Sequence, residues 1–148
     1  SMIRIAEIFD QEQIIGMLKD YRMASPLEFH KTTDDATARR ILAQIFAGRG
    51  RIFVNEQHGI INGMLIAMIN PNFWDHSVLC VNELAYWVDP DARNTSIGYR
   101  LLKSYQEYCE ELKQQGKIEY YTISKMVTSP DLSYDKFGFN RLEETWRA

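Results

Sequence analysis

The chain is poor in the residues that staple a fold or ligate metals. It has two cysteines, Cys80 and Cys109, and three histidines, His30, His58 and His76, in 148 residues. The cysteines fall in an apolar run and in an amphipathic stretch. That is the pattern of buried free thiols in a reducing compartment rather than of a disulfide framework. No Cys–His spacing of a metal site occurs, so no metal is expected, and the absent Cys–His arrangement argues against a covalent acyl-cysteine route. No apolar run is long enough to cross a bilayer and no secretory leader opens the chain, which points to a cytoplasmic protein with no membrane partner. Ser1 before Met2 reads as the remnant of a tag. The formal net charge is only −3, so a nucleic-acid partner has no electrostatic support. There is no internal repeat, no low-complexity tract and no Gly-x-Gly-x-x-Gly fingerprint.

What is present is ordinary for a globular protein: 45% apolar and 25% charged residues, in a length that suits one domain spanning 1–148. Ile3, Ile5 and Ile8 suggest an opening strand. Asp10 is placed to cap a helix whose stripe is Ile14, Ile15, Leu18 and Tyr21. Thr33 or Asp34 caps a second, with Ala38, Ile41, Leu42, Ile45 and Phe46 on one face, ended by Gly48-Arg49-Gly50. Strands follow over 51–55 and 60–69, joined by Gln57-His58-Gly59. A long strand is expected over Val78–Val88, and a helix from Ile97 to Leu112 with Ile97, Leu101, Tyr105, Tyr108 and Leu112 on its stripe. A short strand over Glu119–Ser124, a short helix over Pro130–Phe137 and a last strand over Phe139–Trp146 complete the pattern. Antiparallel hairpins followed by a crossover helix make this an α+β fold with a mixed, mostly antiparallel sheet.

The most informative segment runs from Val88 to Gly98: Val-Asp-Pro-Asp-Ala-Arg-Asn-Thr-Ser-Ile-Gly. Strand, polar turn and helix N-terminus form a geometry that binds anions, because the first helical turn has free N–H groups and a positive dipole end. Gly98 lets a ligand approach the backbone, and Arg93 at the mouth of the turn offers a charged fork.

Arg93-Asn94-Thr95-Ser96-Ile97-Gly98 resembles the acetyl-CoA loop of the GNAT superfamily of N-acetyltransferases, Arg/Gln-x-x-Gly-x-Gly/Ala, with Ser96, whose hydroxyl can cap the helix, where the family usually has Gly. Tyr134-Asp135-Lys136-Phe137-Gly138-Phe139 resembles that family's Tyr-x-x-x-Gly-Phe. The resemblance covers the chain from about Arg51 to its end. It implies a sheet that splays where acetyl-CoA enters, flanked by about four helices, with the strands on either side of the Ile97 helix running parallel. It also implies that the backbone of Val88, with Tyr86 and Trp87, meets the acyl group. Arg93, Asn94, Thr95, Ser96, Ile97, Gly98 and Tyr99 would then hold the pyrophosphate. Room remains for one closing strand after Gly138 and not clearly for a pair, so a partner chain, as in a homodimer, would supply the other.

Acetyl transfer to an amine needs a base for the amine proton, a donor for the oxyanion and an acid for the departing thiolate. Glu83, alone among apolar neighbours in its strand, is the candidate base, with Asn82 as the alternative residue facing the site. Tyr134 matches the family's thiolate-protonating tyrosine. Phe29, Trp74 and Asn82 are the candidate contacts to a small-molecule or peptide amine, with Phe73 and the carboxylates Asp34, Asp35 and Asp75 as further loop candidates. Two other readings share the loop. One is a non-catalytic acyl-CoA-binding or regulatory module on the same fold. The other is a dinucleotide-binding enzyme, against which the missing fingerprint and the lack of alternating βα units speak.

Overall fold

His58 and Gly59 both take positive φ, 53° and 77°, and reverse the chain within two residues. This reversal has the twist that suits paired antiparallel strands. It joins β2 (Gly50–Gln57) to β3 (Ile60–Pro71). The computed structural model describes residues 1–148. The remaining elements are β1 (Met2–Ile5), α1 (Gln11–Met23), α2 (Ala36–Gln44), β4 (Leu79–Val88), α3 (Ile97–Gln114) and β5 (Tyr120–Thr122). The sheet order is β1-β2-β3-β4-β5, antiparallel except for the parallel pair β4–β5. The mixed α+β architecture is thus as the sequence suggests.

Alternation along the strands divides the core in two. Ile52, Val54, Met64 and Ile66 face α1 and α2, where they meet Ile14 and Leu42. Phe53, Leu65, Ala67 and Val81 face α3, where they meet Leu101, Leu102, Tyr105 and Cys109. Helix α3 docks closely because Gly63 lies beneath it. A Cβ there would come within 3.0 Å of Ile97 and 3.1 Å of Leu101. No helix is long and apolar enough to cross a membrane.

Four local expectations are corrected. Asp10 does not cap α1 through its side chain. Its buried carboxylate instead accepts two bonds from Arg4, at 2.7 and 2.9 Å, and one from the Glu7 N–H. The Arg4 guanidinium holds that carboxyl below the usual range. Ser96 makes no cap bond to α3. The helix expected over Pro130–Phe137 is only a 3-10 turn, Tyr134–Phe137, so three α-helices and this turn stand where about four helices were expected. Ser133, with φ of 55°, takes the left-handed conformation, and its N–H bonds to the Asp131 carboxylate. That local bond competes with helix formation and blocks extension toward Pro130. Finally, no strand forms over Phe139–Trp146. Phe139 packs edge-on against Tyr121, with ring centroids 5.6 Å apart, but β5 beside it offers an edge of three residues. Beyond it Leu142 and Trp146 lie exposed.

Candidate active site

The parallel pairing of β4 and β5 spans only Cys80–Asn82 against Tyr120–Thr122. Beyond it the strands part. On the other side of β4 a bulge interrupts the register to β3, with Ala67 opposite Glu83, Ile66 opposite Ala85 and Leu84 left over. A bulge bends its strand and sharpens the twist, and this one sits where β5 departs. The Asp89 N–H bonds to Asn62 O on the β3 side. Backbone groups alternate sides along a strand, so those of Val88 and Tyr86 point into the open gap. The Val88 carbonyl there accepts a bond from Arg93 Nε at 2.8 Å.

Glu83 is the first residue past the paired segment, and its side chain lies in the gap. It is 8% exposed. One carboxylate oxygen accepts the Ser124 N–H at 3.0 Å, across from β4 to the chain leaving β5. Burial pushes the carboxyl up to about 7, and the Ser124 bond opposes that shift. Four phenols feel its charge: Tyr21, Tyr86, Tyr105 and Tyr134 are all held neutral first by their own burial, with the Glu83 charge adding to the effect. Tyr134, half-buried at the start of its 3-10 turn, is pushed up to about 12. It therefore keeps its proton across the neutral range.

At the far end of the gap is the start of α3. The Thr95 hydroxyl accepts the Ile97 N–H at 3.3 Å and donates to Ala92 O at 2.6 Å, so Thr95 caps the helix. Ser96 Oγ instead accepts Arg100 Nε at 3.1 Å. Gly98 sits over Tyr86, whose hydroxyl donates to the Gly98 carbonyl. A Cβ on Gly98 would lie 3.5 Å from that hydroxyl and 3.8 Å from Val88, so its missing side chain keeps the junction of strand and helix open. Arg93 is folded back, with its guanidinium 4.5 Å from the Trp87 ring centroid. Ile97 is buried in the core under the loop, Asn94 is exposed, and Tyr99 is exposed on the outer face of α3.

The other expected residues are spread out. The Asn82 amide accepts from Asn70 at 3.1 Å and donates to Thr122 Oγ1 at 2.8 Å, tying β3, β4 and β5 together below the gap. Trp74 lies in the loop before β4, which its neighbour Asn72 braces through a 2.9 Å bond to the Tyr120 hydroxyl. That loop is at the opposite end of β4 from Val88, roughly 30 Å away along a ten-residue strand. Phe73 and Trp74 are both 88% exposed, edge to face at 5.1 Å. Phe29 is exposed on a 3-10 turn, Glu28–Lys31, edge-on to the His30 ring with centroids 4.4 Å apart. Asp34 caps α2 by accepting the Ala36 N–H at 3.0 Å, and Asp35 pairs with Arg22 at 3.1 Å. Asp75 accepts from Ser77 within its own loop.

Sequence reasoning did not find three groups. Tyr21, which counts as one apolar position on the α1 stripe, reaches Trp87 edge-on at 6.1 Å and feels the Glu83 charge. Tyr105, another stripe residue, donates its hydroxyl to Thr122 O at 2.5 Å and Val81 O at 3.4 Å, a staple across the paired end of β4 and β5. The Ser124 N–H is a backbone group and leaves no residue-type signal.

A family model described as the acetyltransferase (GNAT) family matches residues 9–139. This match reaches into α1, further forward than the resemblance carried by the two motifs. No curated protein matches the sequence significantly. Among solved structures, a GCN5-related N-acetyltransferase from Ralstonia eutropha JMP134 has a TM-score of 0.78 at 19% identity, covering 99% of this chain and 97% of that one. A predicted acetyltransferase with acetyl-CoA from Clostridium acetobutylicum has a TM-score of 0.74 at 14% identity, covering 99% and 94%. The glucosamine-6-phosphate N-acetyltransferase from Arabidopsis thaliana has a TM-score of 0.71 at 19% identity, covering 99% and 96%. At these identities the likeness is one of fold.

Proposed function

The chain belongs to the GNAT family of acetyltransferases, and from that premise we propose that it is an N-acetyltransferase that moves the acetyl group of acetyl-CoA directly to a primary amine in a ternary complex. The observation that carries this is the buried Glu83 carboxylate in the open gap between β4 and β5, with its carboxyl pushed up to about 7. A base with that value is half deprotonated at neutral pH and strong enough to take a proton from an amine.

The residues fit the cosubstrate. The free edge of β4 offers the Val88 and Tyr86 backbone to a pantetheine arm, which lies there like an added strand. Trp87 and Arg93 close that end. The N-terminus of α3, from Asn94 through Ser96 and Gly98 to Tyr99, takes the pyrophosphate, with Gly98 permitting close approach. Acetyl-CoA supplies the activated acyl group. Glu83 accepts the amine proton as the C–N bond forms. The Val88 N–H stabilises the oxyanion. Tyr134 gives its proton to the sulfur as the C–S bond breaks, and the proton held on Glu83 restores the phenol. The net change is amine plus thioester to amide plus thiol.

The acceptor is a small-molecule or peptide amine, with Phe29, exposed in the α1–α2 connection, as a candidate loop contact. Neither a metal nor a nucleic acid enters this scheme. Incubating the protein with acetyl-CoA and a panel of primary amines, and following release of free thiol, tests the proposal. Amine-dependent release is the expected result. Binding of acetyl-CoA with no release across the panel would favour the non-catalytic module instead.

A further inference from the structure

Arg93 lies on part of the edge that a pantetheine arm would use. By alternation along β4, Val88 and Tyr86 present their backbone groups to the open gap. Arg93 Nε donates to the Val88 carbonyl at 2.8 Å, so one of those acceptors is already taken. The guanidinium also rests on Trp87, 4.5 Å from the ring centroid. That indole is a firm seat. Its Nε1 donates to Asp89 Oδ1 at 3.1 Å, and the Tyr21 ring meets it edge-on at 6.1 Å. The backbone just before Arg93 is pinned as well. Ala92 is buried, its N–H bonds to Asp89 O at 2.9 Å, and its carbonyl accepts the Thr95 hydroxyl at 2.6 Å. The Arg93 side chain is therefore the part that is free to leave.

Its hydrogen-bond partner is a neutral carbonyl. A phosphate oxygen is a stronger one, because a bond with charge on both sides outweighs a bond to a neutral acceptor. The anion-binding turn, Asn94 to Gly98, follows Arg93 directly in the chain. We infer that Arg93 is a selectivity residue, which masks the free edge of β4 until a pyrophosphate draws it away. A thioester that carries a pyrophosphate supplies that exchange itself. One that ends at the pantetheine must displace Arg93 with nothing to receive it. The chain thus discriminates against short thioesters by more than the missing pyrophosphate contact. The inference rests on the acetyl-CoA reading above, and it gives Arg93 an effect on the pantetheine arm opposite to its effect on the pyrophosphate.

The test is calorimetric titration of the full chain with acetyl-CoA and with S-acetylpantetheine, for the wild type and for Arg93→Met. Methionine keeps an apolar stem against Trp87 and has no donor for the Val88 carbonyl. In Arg93→Met, acetyl-CoA should bind more weakly, since a charged contact is lost. S-acetylpantetheine should bind more tightly, by about three- to tenfold, the low end of what one charge-assisted hydrogen bond is worth. Inorganic pyrophosphate asks the same question without a substitution. Added to the wild type, it should tighten S-acetylpantetheine by a similar factor, and added to Arg93→Met it should change nothing. Unchanged or weaker S-acetylpantetheine binding in the variant, or a wild type that does not respond to pyrophosphate, would overturn the mask while the acetyl-CoA reading stands. If the wild type does not bind acetyl-CoA at all, both fall.

Discussion

Leu79–Asn82 and Glu83–Val88 are consecutive halves of one strand, yet their edges have opposite fates. The first half is paired on both sides, to β3 and β5. Its side chains are tied down: Asn82 bridges to Asn70 and Thr122, and Tyr105 staples Val81 to Thr122. The second half is paired to β3 alone, and the bulge at Leu84 turns it away from β5. A free strand edge inside a fold is a liability unless a ligand completes it. The chain places the buried, upward-shifted Glu83 carboxyl and the Tyr86 and Tyr134 phenols there. Rigidity below and openness above are one device, since a gap of fixed width needs a firm hinge.

The contrast can be broken most severely at Glu83. Glu83→Gln removes the proposed base from the open half, and turnover should fall by about 100- to 10,000-fold while acetyl-CoA affinity, read by calorimetry, changes little. The same variant should gain stability at neutral pH. The folded-state value of Glu83 is raised from 4.5 to about 7, so the wild type loses stability as pH rises through that window. Chemical denaturation at pH 5 and pH 8 should show the wild type weakening relative to the variant. Tyr134→Phe comes next, with turnover down by roughly 100-fold if proton donation to the thiolate limits the rate. Its melting temperature should hardly move. A large stability loss with a small rate loss would make that hydroxyl a structural donor.

The same substitution in the paired half should give the reverse pattern. Tyr105→Phe strips the staple from two carbonyls and should cost about 1–3 kcal/mol of stability, with turnover reduced far less than in Tyr134→Phe. Thermal unfolding and initial rates on the two phenylalanine variants compare the halves with one chemical change. Gly98→Val crowds the junction of strand and helix, and calorimetry should show acetyl-CoA binding weakened roughly tenfold, within reach of an overpacking strain of about 1–3 kcal/mol. The smallest effect is expected from Ser96→Gly. It removes the partner of Arg100 Nε and costs less than about 1 kcal/mol of helix stability. A clear loss of CoA affinity in that variant would make the hydroxyl a ligand contact.

The two halves also differ in how well the sequence announces them. The long apolar run over Val78–Val88 and the Arg93–Gly98 turn place the strand, the loop and α3 without ambiguity, because periodicity and turn residues are local signals. Glu83 stands out as one carboxylate among apolar neighbours. What cannot be read is which neighbours close around it. Tyr21 and Tyr105 look like any stripe aromatic, and the Ser124 N–H carries no side-chain signature. The end of the chain misleads for a related reason. Residues 139–146 have a plausible strand pattern, but a strand needs a partner edge, and β5 supplies only Tyr120–Thr122. Likewise a left-handed Ser133 is a choice of backbone conformation that residue type does not foretell.

The central claim is that the open half of β4 holds a working base, and the pH profile of kcat/KM tests it most directly. It should be measured for the wild type and for Glu83→Gln with an amine that the panel shows to be a substrate. Because Glu83 must be deprotonated to act, the wild-type profile should rise with pH through about 7, the value that its burial imposes, and the Glu83→Gln profile should lose that step. A wild-type step that persists unchanged in Glu83→Gln, or a profile in which both proteins turn over equally from acid to alkaline pH, would contradict the account.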